Sequence, residues 1–239
     1  MKLLDLTLPT PEDNLACDEA LLDYCEAVGG DEVLRFWEPR QYFVVLGYAN
    51  KTENEVDLVA CTAENIPVFR RCSGGGTVLQ GPGCLNYSLI LGIDEAGPLH
   101  SISSTNCFVM KRQQEALRAI LDKPIEVKGH TDLALENLKF SGNAQRRHKN
   151  HLLFHGTFLV DFDLPLIGKF LHQPARQPQY RQNRSHENFL RNLNADSASI
   201  KKALRTAWQA TEPWQVIPTE TINKLVTEKY SRREWNLRF

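Results

Sequence analysis

The chain has 239 residues, 42% of them hydrophobic and 24% charged, with a formal net charge of -1. That length allows one dominant domain with a full core, or a domain plus a small appendage, and excludes two large domains. The near-neutral balance excludes a global pull toward nucleic acid or anionic membrane.

The opening Met1-Lys2-Leu3-Leu4-Asp5-Leu6 is too short an apolar run, and meets an acid too early, for a signal peptide. Nothing later approaches the roughly 18 uninterrupted apolar residues of a membrane span. A cytosolic, cytoplasmic protein is expected. Cys17, Cys25, Cys61, Cys72, Cys84 and Cys107 form no CxxC pair, so reduced thiols are expected, most of them buried as small hydrophobes.

Asn14 precedes an apolar pattern of helical spacing from Leu15 to Tyr24, and Gly29-Gly30 marks its stop. Val33 to Trp37 and Tyr42 to Gly47 are β-branched and aromatic runs joined by Glu38-Pro39-Arg40-Gln41, which predicts a strand pair. A helix is predicted over Glu53 to Asn65 and a strand over Val68 to Arg71. Leu85 to Leu91 alternates as another strand. Ser103 or Ser104 is the expected cap of a long helix that ends near Leu121, before Pro124.

Strands follow at Ile125 to Lys128, Leu138 to Ser141 and Leu152 to Val160, the last two flanking a polar turn at Arg146 to Asn150. Pro174 to Arg184 reads as a polar surface loop. Ser197 to Ala210 and Thr219 to Tyr230 are weak helices that form either a packed cap or an interaction tail. The fold class expected is α+β, with mixed β-sheets and helices outside them.

Arg70-Arg71-Cys72-Ser73-Gly74-Gly75-Gly76-Thr77-Val78-Leu79 sets three glycines between a strand ending in two cations and a resumed apolar run. Residues without Cβ permit positive φ and let backbone N–H groups approach a ligand closely, which suits an anion. A plain hairpin turn is the bland alternative. The third glycine, the paired arginines and Gly81-Pro82-Gly83 favour a binding loop. No Gly-Lys-Ser/Thr ends it and no GxGxxG spacing opens a helix, so it is neither a Walker loop nor a dinucleotide fingerprint.

Leu138-Lys139-Phe140-Ser141-Gly142-Asn143-Ala144 carries a lysine in a strand-like run. Facing solvent it is ordinary; facing the glycine loop, it can bridge a carboxylate and a phosphate. Asp132, in Gly129-His130-Thr131-Asp132-Leu133, is a carboxylate able to hold Mg²⁺ beside such phosphates, or an ordinary turn acid. His151 and His155 lie four apart without a third ligand of matching spacing, so no zinc site is expected. His155 is read instead as a polar lining of the same pocket.

In this order, these segments resemble the lipoate-protein ligase A family, within the group that includes biotin ligases and octanoyltransferases. The carriers of the resemblance are Asn14-Leu15-Ala16, Arg70 to Val78, Gly83-Cys84-Leu85-Asn86-Tyr87-Ser88, Gly129 to Leu133, Lys139 to Ala144 and His155-Gly156-Thr157. The arginine-x-Ser-Gly-Gly-Gly and lysine-x-Ser-Gly motifs are the most specific of them.

The resemblance implies that ATP and lipoate form lipoyl-adenylate, whose acyl group passes to a carrier lysine. Arg71 and Gly76, Thr77, Val78 and Leu79 would then hold the nucleotide. Ser73, Gly74 and Gly75 would line the acyl slot with Asn86 and His155, Lys139 would be catalytic and touch both carboxyl and α-phosphate, and Asp132 would hold Mg²⁺. The implied partners are lipoyl domains of 2-oxoacid dehydrogenase E2 subunits and the glycine cleavage H protein.

Residues 1–190 are expected to be the catalytic domain and 191–239 a short helical tail, too few for a full accessory domain. Adenylation therefore either uses a separate accessory protein or suffices with the tail. A cysteine-dependent octanoyltransferase with Cys72 or Cys84 as nucleophile, and a non-catalytic lipoate or biotin binder, stay open as alternatives.

Overall fold

The protein is described by a computed structural model over residues 1–121, 123–174 and 176–239; Asp122 and Ala175, the latter within the expected Pro174 to Arg184 loop, lie outside the described residues. In chain order the elements begin β1 Lys2–Asp5, α1 Pro11–Val28, β2 Val33–Trp37, β3 Phe43–Leu46, α2 Thr52–Glu55, α3 Leu58–Ala63 and β4 Val68–Arg70. Next come β5 Val78–Gln80, β6 Cys84–Gly92, α4 Ile102–Arg118, β7 Ile125–Lys128, β8 Asp132–Leu135, β9 Leu138–Arg147 and β10 His151–Leu159. The chain continues with α5 Pro165–Phe170, α6 His186–Phe189, α7 Ser197–Ala207, β11 Glu212–Pro213, α8 Thr219–Leu225 and α9 Arg233–Asn236.

An eight-stranded sheet in the order β11-β1-β2-β6-β10-β9-β8-β7 is antiparallel from β2 onward and parallel across β11, β1 and β2. A three-stranded sheet, β4-β3-β5, lies beside it. The expected α+β class with mixed sheets is the one found.

Period-2 alternation decides what each face of the large sheet buries. Leu34 and Phe36 of β2, Leu85 and Leu89 of β6, and Leu152 and Phe154 of β10 pack with Val109, Met110 and Leu117 of α4 and Ile200 and Leu204 of α7. The opposite face sends Val33, Trp37, Ile90 and Leu153 toward Leu15, Leu21 and Leu22 of α1. That second face also carries Arg35, Ser88 and His155, and these polar positions open the site.

Several boundaries differ from the expectations. The long helix is capped by Ser101, not Ser103 or Ser104: Ser101 Oγ accepts from the Ser104 N–H while Ser104 Oγ accepts from the Ser101 N–H, a reciprocal capping box. The predicted Arg146 to Asn150 turn begins later, because β9 stays paired with β10 through Arg147. The Gly129 to Leu133 turn gives way at Asp132 to β8, which pairs with β7 and, across an irregularity at Leu133 and Ala134, with β9. The predicted Glu53 to Asn65 helix is broken at Val56 and Asp57 into two short ones.

After residue 190 the chain stays woven into the same cores: Trp208 packs with the α4 side, and Trp214, Ile222 and Tyr230 with the α1 side.

Candidate active site

The glycine segment follows β4, where alternation sends two adjacent arginines to different duties. Arg70 is buried, and its guanidinium donates to the carbonyls of Gly47, Asn50, Trp235 and Asn236. It is a staple between the loop after β3 and the C-terminal residues. Arg71 turns toward the glycines: Nη2–H donates to the Gly74 carbonyl at 2.5 Å and to that of Gly76 at 2.8 Å, and Nε–H to Ser73 Oγ at 3.1 Å. Burial pushes the Arg71 pKa down to about 10, yet it stays a cation at neutral pH. Its first task is to shape the loop, with the guanidinium forming part of the cleft wall.

Gly75 sits at φ 87°, in the left-handed region, and the backbone of the preceding loop lies against it. A Cβ on Gly47 would stand 2.1 Å from the Gly75 carbonyl oxygen. The Tyr48 N–H donates to the Ser73 carbonyl at 2.8 Å and Asn50 Nδ2–H to Thr77 Oγ1 at 3.1 Å. The loop thus rests on a second loop instead of projecting freely.

Lys139 reaches the same side from β9. Its ammonium pairs with Asp132 Oδ1 at 2.7 Å, and Asp132 Oδ2 accepts from the Tyr180 hydroxyl at 2.8 Å. Burial first, and the Asp132 carboxylate second, push the Tyr180 hydroxyl well above its ordinary pKa. The end of the Lys139 side chain lies over Gly142: a Cβ there would stand 2.8 Å from Lys139 Nζ and displace the ammonium from this position.

The cleft between these elements has a volume of about 1250 Å³, above the roughly 300–1,000 Å³ of a pocket for one drug-sized ligand. It has room for an acyl chain and a nucleotide side by side. Leu15, Trp37, Val45, Val78 and Phe140 supply an apolar part; Lys139, Arg176 and Arg181 supply a cationic one. Pro174 and residues 176–181, with Tyr180 bound to Asp132, close one side.

Of the residues expected at the site, Arg71, Gly75, Gly76, Thr77, Val78, Leu79, Asn86, Asp132, Lys139 and His155 converge on this cleft. Gly74 and Ser73 do not line it; Ser73 lies beneath the loop, 1% exposed. The polar cluster Gln80, Asn86 and Thr157 is internally bonded, with Thr157 Oγ1–H donating to Asn86 Oδ1 and Gln80 Nε2–H to Thr157 Oγ1.

Asp18, Arg35, Trp37 and Tyr180 were not singled out from the sequence. A visible signal existed for one pair. Arg35 is a lone charge inside Val33-Leu34-Arg35-Phe36-Trp37, a strand otherwise apolar, so it demands a buried carboxylate. Asp18 on α1 provides it at 2.5 Å.

All six cysteines are free thiols, five buried and Cys107 exposed. Burial pushes Cys72 and Cys84 up to about 12, and among the described residues no cysteine lines the cleft. No group of three or more His, Cys, Asp or Glu close enough to cage a metal occurs among the described residues. No helix of the described residues is long and apolar enough to cross a membrane.

Fold and cleft together set an apolar wall beside a cationic one within a single pocket. The chain belongs to the lipoyl protein ligase A/B catalytic domain family, whose model matches residues 10–209. It is 32% identical over 173 residues to a probable lipoate-protein ligase A of Mycoplasma pneumoniae, covering 72% of this chain and 49% of that protein. An octanoyltransferase, LipM, of Geobacillus kaustophilus is 25% identical over 99% of this chain and 98% of its own length.

Among solved structures, a bi-partite lipoate protein ligase from Thermoplasma acidophilum, described with its E2 lipoyl domain, superposes with a TM-score of 0.84 at 25% identity, over 99% of this chain and 95% of that one. A lipoate-protein ligase A bound with ATP gives 0.82 at 25% identity, over 99% and 98%. The chain spans about half the length of the Mycoplasma ligases it matches.

Proposed function

We propose that the chain is the catalytic core of a lipoate-protein ligase. A lipoate carboxylate oxygen attacks the α-phosphorus of ATP, forming lipoyl-adenylate as pyrophosphate leaves. The ε-amine of a carrier lysine then attacks the acyl carbon, an amide forms, and AMP departs as the amine loses a proton to solvent. The Lys139 ammonium holds the reacting carboxyl against the phosphate and offsets its charge. The Arg71-shaped glycine loop receives the nucleotide, and the apolar part of the cleft keeps water from the mixed anhydride.

The observation that carries this reading is the pairing of Lys139 with a cleft whose lining, among the described residues, has no thiol. Thioester transfer needs a nucleophilic thiolate, and the Cys72 and Cys84 thiols, at about 12 and buried, do not supply one at neutral pH. The ATP-bound relative supports nucleotide use, and the Thermoplasma ligase with its E2 lipoyl domain supports lipoyl domains as carriers.

Asp132 has two of its lone-pair positions engaged, by Lys139 and Tyr180. Each oxygen keeps a lone pair that could take a Mg²⁺ also held by substrate phosphates, and among the described residues no all-protein cage occurs. When bound, the ion supplies charge neutralisation at those phosphates.

A second reading, octanoyl transfer, is favoured by the end-to-end match to the Geobacillus octanoyltransferase. The deciding experiment incubates the chain with a lipoyl domain and follows the carrier by mass spectrometry. A lipoyl increment that requires ATP selects the ligase. An octanoyl increment from octanoyl carrier protein without ATP selects the transferase. A lipoyl increment only on adding an accessory protein, as in a bi-partite system, places half of the adenylation machinery outside this chain.

A further inference from the structure

A line of contacts runs beneath the cleft from the first helix to the glycine loop. Asn14 and Asp18, one turn apart on α1, hold Arg35: Nη1–H donates to Asp18 Oδ1 at 2.5 Å and Nη2–H to Asn14 Oδ1 at 2.8 Å. The other oxygen of Asp18 lies 3.5 Å from His155 Nδ1. A proton on Nδ1 therefore faces a carboxylate, which leaves Nε2 as an acceptor. Ser73 Oγ sits 2.5 Å from that Nε2, so its hydroxyl donates to His155 while its lone pair accepts Arg71 Nε–H. Arg71 then binds the carbonyls of Gly74 and Gly76.

Three successive glycines have no side chains by which to be held and lose more freedom on ordering than any other residues. Their side-chain anchors are Arg71 and Ser73. We propose that His155 is a positioning residue: fixed by the buried Arg35–Asp18 pair, it orients Ser73 and through it Arg71, and so sets the shape of the Gly74–Gly76 loop before any ligand arrives. The inference rests on the reading of that loop as the nucleotide wall.

The order Ser73, His155, Asp18 is also that of an acyl-transfer triad. Ser73 is unsuited to attack, since it is 1% exposed, does not line the cleft, and has its oxygen engaged by both His155 and Arg71. What the three residues share with a triad is orientation, applied to a loop instead of a nucleophile.

Backbone ¹⁵N relaxation of the full chain, without substrate, tests this. His155→Leu removes the acceptor and His155→Gln keeps an oxygen in its place. Order parameters at residues 74–77 are expected to fall from about 0.85, the value of rigid backbone, to below about 0.6 in His155→Leu and to keep the wild-type value in His155→Gln, with β6 unchanged in both. Ser73→Ala, which leaves the Arg35–Asp18 pair and His155 in place, gives the same fall and carries the test if His155→Leu does not fold.

In lipoyl transfer, His155→Leu is expected to raise KM for ATP about tenfold with kcat within about threefold of wild type, and His155→Gln to restore KM. Wild-type order parameters at 74–77 in both His155→Leu and Ser73→Ala overturn the proposal, as does an acyl group found covalently on Ser73 by intact mass. If the order-parameter pattern holds but the wild-type chain never ligates lipoate, the relay stands and the proposed function falls.

Discussion

Lys139 is 27% exposed at its side chain and its carboxylate partner Asp132 14%, so the ion pair stands at the cleft surface, where an incoming carboxyl or phosphate can replace Asp132. Lys139→Ala is expected to lower kcat/KM for lipoyl transfer by about 10² to 10³, the usual cost of one removed electrostatic stabiliser. The melting temperature should stay within a few degrees, since little packing is lost; wild-type transfer by this variant would remove the central role given to Lys139. Asp18 behaves oppositely. Burial raises its pKa, but Arg35 and then His155 outweigh burial, and the carboxyl ends below its ordinary value. A folded pKa below the unfolded one, about 3.9, gives stability that is complete above that pH and lost as pH falls through the folded value. Asp18→Asn should therefore cost about 3–5 kcal/mol at pH 7 by leaving Arg35 buried and unpaired. In urea titrations from pH 7 to pH 2 its acid-limb loss should be shallower than that of wild type. Arg71 and Lys139 were legible because glycines and a lysine in a strand are unusual in themselves. Asp18 was not, because one acid among the alternating residues of an amphipathic helix looks like its solvated face, and only Arg35, across two elements, reveals that it points inward.

At the scale of elements, patterning identified α1, α4 and the central strands β2, β6 and β10, but missed β1, β8 and α5, whose Leu4, Leu133 and Phe170 are also buried, and paired Val33–Trp37 with Tyr42–Gly47 although β2 and β3 lie in different sheets. Gly142-Asn143-Ala144-Gln145 lies beyond the predicted Leu138 to Ser141 strand, yet β9 continues through it paired with β10 on one side, while Gly142, Asn143 and Ala144 line the cleft and Asn143 bonds Thr131 and Tyr87. Pairing with β10 overrode propensity there. The segment around Tyr180 read as a loop, and it is one, with a single 3₁₀ turn at Gln179–Arg181; the Tyr180–Asp132 bond ties it to β8 across the cleft, a contact no local pattern encodes. Tyr180→Phe deletes that bond alone. We expect adenylate release and hydrolysis to rise about tenfold or more, as the loss of one hydrogen bond to a charged group implies, read as AMP formed per lipoyl group transferred. An unchanged ratio would show that the segment is held by other contacts. A variant with both Cys72→Ala and Cys84→Ala should keep transfer within about threefold, since neither thiol reaches the cleft; if it is dead while the wild type carries an octanoyl thioester, the transferase reading takes over.

At the scale of the whole molecule, the weak helices after residue 190 gave no sign in the sequence of how they are held, because their apolar stripes are thin and their partners are far off in sequence, in α4 for the first helix and in α1 for the last. In the structure, the Tyr230 hydroxyl donates to Glu19 Oε2 at 2.6 Å, Lys229 pairs with the same carboxylate, and the Arg70 N–H donates to Asn236 Oδ1 at 3.0 Å. The C-terminal residues thus supply partners to the arginine next to Arg71. Removing residues 219–239 would strip Ile222 and Tyr230 from the core, at about 2–5 kcal/mol each, and leave the Arg70 guanidinium short of partners in a buried place. Against a total stability of about 5–15 kcal/mol that loss is close to complete. The full chain is accordingly expected to unfold in urea in one transition, coincident by circular dichroism and by tryptophan fluorescence, and the shortened chain to show no cooperative transition. A shortened chain that still unfolds cooperatively would place residues 219–239 outside the folding unit. The glycine loop would then have to draw its order from the His155 relay and the Gly47 loop alone.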